Sequence, residues 1–408
     1  MDVVRAIEPD IRPGFPPVTV LEGPRTVGKT YTAHKLVTTG VWQRYASLAD
    51  TPTFQLASRD LPGWLESLPA TVVIDEAQLL DELPLQIKRL VDEPGSTRRF
   101  LLTGSARIGR TGLGGSDPLT GRVRRWSLAP LTASEIQGQP QRLRTLAERL
   151  FSGDIIDQQS HPLPGLKDTI GRGGFPLLAL NKPSVRDADQ WARDTTLGLL
   201  TDAVLPDERF DTSTARRVLD ACLRDPASIL NVTSLGQRLG INPRTVDRYL
   251  DVLERRFLLH FLPNLATNPT RQTRARSKVY PVDTAFAAES LRRSNPSLPD
   301  DPTCFGHLVE SYVVNQILPG LQFASFPVQA FYWRDAKTNR EVDLVLDDGE
   351  GHHVGIEVKS ASRVTLADAS GLHFLDQAVG LSMAYVVYPG TTAVRLADRC
   401  WAIPLAAI

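Results

Sequence analysis

Cysteine, lysine and long apolar runs are all scarce in this sequence. Its three cysteines, Cys222, Cys304 and Cys400, stand far apart, form no C-x-x-C pair and set up no disulfide framework. A reducing compartment is the simplest expectation. No stretch approaches the roughly 20 consecutive apolar residues that a bilayer span needs, and Met1-Asp2-Val3-Val4-Arg5 lacks the apolar segment of a secretory signal. The chain is therefore expected in the cytoplasm, with no membrane partner. Net charge is missing too, since 46 Lys+Arg balance 46 Asp+Glu over 408 residues. Taken alone, that balance argues against a polyanionic partner.

What is present is the composition of an ordinary globular protein, 42% hydrophobic and 23% charged. The length predicts roughly two to four domains. Apolar β-branched runs alternate with helical patterns up to about residue 130, the pattern of a parallel α/β sheet, with strands expected at Val18–Leu21, Val72–Ile74 and Phe100–Leu102. Residues 141–230 read as mostly helical, interrupted by the loop Gly171-Arg172-Gly173-Gly174-Phe175-Pro176. Two short helices and a β-ribbon follow over about 231–280. From about residue 303 a helix is followed by closely spaced strands.

Gly23-Pro24-Arg25-Thr26-Val27-Gly28-Lys29-Thr30 fits G-x-x-x-x-G-K-[ST], after an expected strand and before an expected helix. Glycines let such a loop wrap phosphate, so that backbone N–H groups and the helix N-terminus supply an anion site. Lys29 would reach the β- and γ-phosphates, and the Thr30 hydroxyl would bind Mg²⁺. Asp75 and Glu76 end the apolar run Val72-Val73-Ile74 about 45 residues after Thr30. Asp75 is placed to hold the Mg²⁺ shell and Glu76 to polarise an attacking water. The same two acids could instead begin a helix and favour its dipole. Thr103-Gly104-Ser105, at the end of the third strand, reads either as a polar sensor of the γ-phosphate, with Thr103 on nucleotide, or as turn chemistry.

These pieces together resemble the AAA-type P-loop ATPases of bacteria and archaea, in the group whose loop reads Gly-Pro-Arg-x-x-Gly-Lys-Thr. Gly121-Arg122, followed by Leu128-Ala129-Pro130-Leu131, is similar to that family's segment after the sensor strand. The resemblance implies that Arg122 contacts nucleotide, in cis or across the interface of a homo-oligomer. No Asn-Lys-x-Asp guanine signature is present, because Asn181-Lys182-Pro183-Ser184 lacks the acid. ATP is the expected nucleotide.

A helix over Ser234–Leu239, a turn at Gly240-Ile241-Asn242 and a helix over Pro243–Arg256 form a helix-turn-helix pattern. Val246, Leu250 and Leu253 would pack inward, leaving Arg244, Thr245, Arg248 and Tyr249 toward the outer face, where a recognition helix meets DNA. Phe257–Leu262 and Val279–Val282 could form a wing whose loop carries Arg271, Arg274, Arg276 and Lys278. Residues 236–278 hold nine Lys/Arg and three Asp/Glu, an excess of 9 − 3 = 6 positive charges. That is the footprint of a phosphate-contacting module. Such a winged helix can also act only as an interdomain or protein-binding wedge.

Near the C-terminus, Glu341-Val342-Asp343-Leu344-Val345-Leu346 alternates as a half-buried strand, and Gly355-Ile356-Glu357-Val358-Lys359 follows after a turn. Strand pairing would bring Asp343 beside Glu357 and Lys359. Two carboxylates around Mg²⁺ or Mn²⁺, with Lys359 steadying a nucleophilic water, make a phosphodiester hydrolysis site. Glu310, on the helix Phe305–Ile317, would complete it. This order resembles the restriction-endonuclease-like fold. More closely, Trp333-Arg334, Glu341-Val342-Asp343 and Ile356-Glu357-Val358-Lys359 are similar to the C-terminal domain that accompanies this ATPase group. With Gly306, Glu310 and the Gly174-Phe175-Pro176 loop, the resemblance covers nearly the whole chain.

The expectation is a four-part α/β chain: a P-loop AAA-type domain (1–140), a helical connector (141–230), a winged helix (231–285) and a restriction-endonuclease-like domain (286–408). It would be a Mg²⁺-dependent ATPase that binds DNA and couples hydrolysis to DNA processing or remodelling, with a second, nuclease activity. The alternative is an ATP-dependent signalling switch with a protein partner and a catalytically idle nuclease-like domain. A motor that remodels DNA without cutting it is the third reading.

Overall fold

The structure, a computed structural model, describes residues 3–105, 108, 117–156, 165–201, 211–265, 276–335 and 337–408. The chain divides into two compact units, Asp2–Ala129 and Pro130–Ile408. The connector, winged helix and C-terminal domain expected beyond residue 140 do not separate. Their elements pack into the one second unit.

In the first unit, β1 (Val18–Glu22), β2 (Arg44–Ser47), β3 (Thr71–Asp75), β4 (Arg99–Gly104) and β5 (Val123–Ser127) make one sheet in the order β2-β3-β4-β1-β5. All of its pairings are parallel. Helices α1 (Lys29–Thr38), α2 (Thr51–Arg59), α3 (Leu61–Glu66) and α4 (Leu83–Asp92) connect the strands. The central strands read as apolar runs because both sheet faces are covered. Val18, Val20, Val72, Ile74, Phe100 and Leu102 pack with Leu65, Leu83 and Ile87. The two edge strands carry Arg44, Arg124 and Arg125 and show no apolar run, so the sequence pattern passes over them. Parallel strands all end at the same sheet edge, which places Glu22, Asp75 and Gly104 together there.

The second unit begins with five short helices, α5 (Ala133–Ile136), α6 (Pro140–Arg144), α7 (Leu146–Ser152), α8 (Leu166–Arg172) and α9 (Pro176–Asn181). The longer α10 (Val185–Thr201) and α11 (Thr212–Arg224) follow. Between α8 and α9 the Gly-Gly-Phe-Pro loop is a packing knot. The Gly174 N–H donates to Asp283 at 2.7 Å, and its carbonyl accepts from Leu131 at 2.7 Å. A Cβ on Gly174 would stand 2.2 Å from the Leu131 carbonyl oxygen.

Next come β6 (Ser228–Ile229), α12 (Val232–Leu239), α13 (Pro243–Arg255), β7 (Leu259–Leu262) and β8 (Lys278–Pro281). The three strands form an antiparallel sheet in the order β6-β8-β7. The start of α13 lies where the sequence puts it, with the Asn242 side chain accepting the Arg244 N–H at 2.9 Å and Pro243 in the first turn. Val246, Leu250 and Leu253 are buried as expected. Tyr249 is buried as well, against expectation, because its hydroxyl accepts the Asp211 N–H at 3.0 Å beside the start of α11.

After α14 (Thr284–Ser294) and α15 (Pro302–Leu321), the remaining strands are β9 (Gln329–Arg334), β10 (Glu341–Asp347), β11 (His353–Val358), β12 (Met383–Tyr388), β13 (Val394–Ala397) and β14 (Cys400–Pro404). They build a six-stranded sheet in the order β13-β14-β12-β11-β10-β9. The helix α16 (Ser370–Val379) crosses from β11 to the parallel β12. Val342 and Val345 of β10 pack with Leu372 and Leu375 of α16. On the other face Asp343 meets Lys278 and Tyr280 of β8, and β10 is buried from Val342 to Leu346 rather than half-buried. Among the described residues, no helix is long and apolar enough to cross a membrane.

Candidate functional site

The Gly23–Thr30 loop leaves β1 at the carboxyl edge of the first sheet and runs straight into α1, whose N-cap Gly28 has φ 104° and whose first turn no side chain caps. The N–H groups at the start of α1 therefore point toward the loop. Close wrapping is enforced at Gly23, where a Cβ would lie 2.3 Å from the Leu128 carbonyl oxygen. Thr26 holds a left-handed φ of 62°, a local strain concentrated in the loop. Pro24 and Val27 are buried, while Arg25, Thr26 and Thr30 are exposed. Lys29 is buried and donates to the carbonyls of Gly23 at 2.9 Å and Pro24 at 2.7 Å. Burial lowers its ammonium pKa to about 8; Glu76 and Asp75 oppose that fall and Arg25 adds to it.

The structure brings the loop and the β3 acid together across 45 positions of sequence. Asp75 is 2% exposed, and its Oδ2 accepts from the Thr30 hydroxyl at 2.9 Å and from the Tyr45 hydroxyl at 2.6 Å. Its Oδ1 accepts from Thr103. These hard oxygen donors suit Mg²⁺, which Thr30 and Asp75 would hold. Glu76 follows in a left-handed turn at φ 55° and accepts from Gln78, whose amide also reaches the Ser105 hydroxyl at 3.4 Å. Thr103 thus supports Asp75 directly.

Sequence reasoning missed Tyr45 and Arg125. Tyr45 belongs to an edge strand without an apolar signature, and its ring stacks on His34 of α1 at 3.8 Å between centroids. Burial, with Asp75 next, raises its phenol above the usual range. Arg125 pairs with Glu22, the residue before the loop, at 2.7 Å. Arg122, expected on nucleotide, is not brought to the loop. It precedes β5 at the amino edge of the parallel sheet, where its carbonyl accepts from Val18 at 3.1 Å and its guanidinium pairs with Asp92.

On the second unit, Arg244, Arg248 and Arg276 are exposed and Thr245 is half-buried. The Arg248 guanidinium lies 5.4 Å from the centroid of the Tyr249 ring. Arg271 and Arg274 fall outside the described residues. Lys278, expected with them on the basic loop, is instead 2% exposed in the interior. Its Nζ donates to Glu310 Oε1 at 2.8 Å and Asp343 Oδ1 at 2.9 Å and lies 2.6 Å from Glu341 Oε1. Burial works against this ammonium, yet Asp343, Glu310, Tyr280 and Glu341 together hold its pKa well above the ordinary lysine range.

The expected C-terminal metal ligands are thereby divided. Asp343 gives Oδ1 to Lys278 and accepts the Val358 N–H on Oδ2 at 2.9 Å. Glu310 Oε1 takes both Lys278 and the Tyr280 hydroxyl, the latter at 2.6 Å. Glu357 Oε1 pairs with Lys359 at 2.8 Å, and its buried Oε2 makes no hydrogen bond. Burial, then Asp343, pushes the carboxyls of both Glu310 and Glu357 up to about 8. A divalent ion does not fit this set, because it would have to share Glu310 and Asp343 with an ammonium. Among the described residues, the one group of three acids and imidazoles whose ligand atoms lie within 4.8 Å of one another is Asp348, Glu350 and His352, in the turn between β10 and β11.

Comparison with known proteins follows the same division. Residues 305–408 match a model described as a domain of unknown function (DUF4143), and residues 163–297 match another described as a domain of unknown function (DUF8612). The second of these runs across the boundary expected at residue 230. The chain is 27% identical over 390 residues, 95% of its length and 80% of theirs, to the uncharacterized proteins Mb2031c of Mycobacterium bovis and Rv2008c of Mycobacterium tuberculosis. Among solved structures, the Thermotoga maritima RuvB Holliday junction branch migration motor is similar at 19% identity and a TM-score of 0.28, covering 64% of this chain and 83% of that one. The Aeropyrum pernix Orc1 protein in complex with DNA is similar at 14% identity and a TM-score of 0.28, covering 71% and 90%. Likenesses this loose fix neither fold nor activity. Residues 16–137 match the family model described as an AAA domain, and the Asp2–Ala129 unit, with its loop, sheet and buried acid, is accordingly an AAA-type P-loop domain.

Proposed function

We propose that this chain is a Mg²⁺-dependent ATPase that contacts DNA through α13 and couples ATP hydrolysis to remodelling of that DNA, with a nuclease-like sheet that does not cut. The observation that carries the ATPase reading is the 2.9 Å contact between Thr30 and Asp75. Loop N–H groups and the N-terminus of α1 bind phosphate, and Lys29 exchanges its two carbonyl partners for phosphate oxygens. Bound Mg²⁺ would offset phosphate charge. Asp75, oriented by Tyr45 and Thr103, fixes the Thr30 hydroxyl, and Glu76 orients the attacking water. Lys29→Ala should reduce ATP hydrolysis to background; full activity in that variant would sink the assignment.

Support for DNA comes from element order and exposure. The succession α11, β6, α12, α13, β7, β8 is that of a winged helix, with Arg244 and Arg248 open on the second helix of the turn. Likewise α15, the meander β9-β10-β11, α16 and the parallel β12 follow the restriction-endonuclease-like order. The test is ATP hydrolysis measured with and without single-stranded, duplex and branched DNA, with the DNA examined afterwards. Stimulation without cleavage is the expected result. A protein-directed switch is favoured by one observation, that Tyr249 and Lys278 both leave the expected contact face for the interior. No duplex affinity at low salt would establish that reading in place of ours.

A further inference from the structure

We infer that Lys278 is the resident cation of the carboxylate cluster on the six-stranded sheet: its ammonium stands where a divalent ion would bridge Glu310 and Asp343, and closes the cluster to Mg²⁺ and Mn²⁺. The inference rests on the nuclease-like reading of Pro302–Pro404 and is independent of the ATPase.

The donor count carries it. A lysine ammonium has three N–H groups, and three carboxylate oxygens from two elements lie 2.6 to 2.9 Å from this one. Glu310 comes from α15, Glu341 and Asp343 from β10, and the cation from β8. Two positions along β8, on the same face, Tyr280 donates to the same Glu310 oxygen and holds it toward Nζ. The remaining Asp343 oxygen is engaged by the Val358 N–H. Residue type points the same way. Over 236–278 the other eight cations are all arginine. A planar guanidinium spreads its donors over a fork, whereas a compact ammonium gathers three carboxylates around one atom, as a metal ion does.

The test uses the full chain carrying Asp75→Asn, which removes the nucleotide-site acid. Mn²⁺ binding to this parent, followed by electron paramagnetic resonance, should be unchanged by a further Asp343→Asn. Adding Lys278→Ala should create one Mn²⁺ site that Asp343→Asn abolishes. Mn²⁺ should also raise the melting temperature of the Lys278→Ala protein by several degrees while leaving the parent unmoved, since a ligand bound only to the folded state stabilises it. Lys278→Met, which keeps length without charge, serves if the alanine variant does not fold. A parent Mn²⁺ site that depends on Asp343 would overturn the inference, as would a folded Lys278 variant without a gained site. Should neither variant fold, the parent titration decides alone. Mn²⁺ bound by Lys278→Ala supports the internal cation whether or not that variant cuts DNA. Cleavage by the parent that needs Mn²⁺ and Asp343 overturns the inference together with the non-cutting sheet, whereas cleavage that survives Asp343→Asn overturns the non-cutting sheet alone.

Discussion

Lys29, Lys278 and Lys359 are three of only eight lysines, and each donates to oxygen inside a polar site. For Lys29, burial lowers the pKa to about 8, and a phosphate at the loop would raise it again. The complex then holds more protons than the free protein between about pH 8 and 9, so ATP binding takes up a proton and weakens as pH rises through that window. Calorimetric titration in buffers of different ionisation heat should detect the uptake, and Lys29→Met should abolish it. Identical heats in all buffers at pH 8.5 would refute the linkage. Tyr45 acts through Asp75. Tyr45→Phe removes its 2.6 Å bond and should raise the Mg²⁺ concentration for half-maximal ATPase activity about tenfold, with the melting temperature little changed. The loop and Asp75 were legible in the sequence because their chemistry is local. Lys278 was not, because Glu310 and Asp343 lie 32 and 65 positions away. A signal was nevertheless there: Lys278 and Tyr280 alternate on one strand face, and a lone lysine stands in an arginine-rich stretch.

At the scale of elements, apolar period and cap chemistry placed the central strands β1, β3 and β4 and the start of α13, while the polar edge strands β2 and β5 escaped the same signals. The strand β10 was read as half-buried because its acids alternate with apolar residues; in the fold Asp343 is buried against the Lys278 ammonium, and Glu341, still partly exposed, lies 2.6 Å from the same nitrogen. The Gly-Gly-Phe-Pro loop was visible only as an interruption between helices. Its packing against Leu131 and Asp283 gives it a cost that can be measured. Gly174→Ala drives a Cβ into the Leu131 carbonyl and should destabilise the second unit by about 1–3 kcal/mol, read as a lower denaturant midpoint. An unchanged midpoint would show that the loop yields freely.

For the whole molecule, a net charge of zero is an average over unlike parts. The excess of six positive charges over 236–278 counts Lys278, which the interior neutralises, so the outward share is smaller than the sequence suggests. Arg244 and Arg248 remain open on α13. Arg248→Ala should weaken duplex DNA binding across sequences and lower the magnitude of its salt slope by about 1. An unaltered slope would remove α13 from the DNA contact. The residue that left that surface has a mechanical role within the second unit. Because β8 lies between β6 and β7, Lys278 ties the helix-turn-helix sheet to β10 and α15, and beside it the Leu265 N–H donates to the Tyr332 carbonyl of β9 at 2.7 Å while the Tyr332 N–H donates to the Pro263 carbonyl at 3.0 Å. A twist of α13 therefore reaches the six-stranded sheet along two seams, one of charge and one of backbone, and loosening the ammonium alone leaves the second intact.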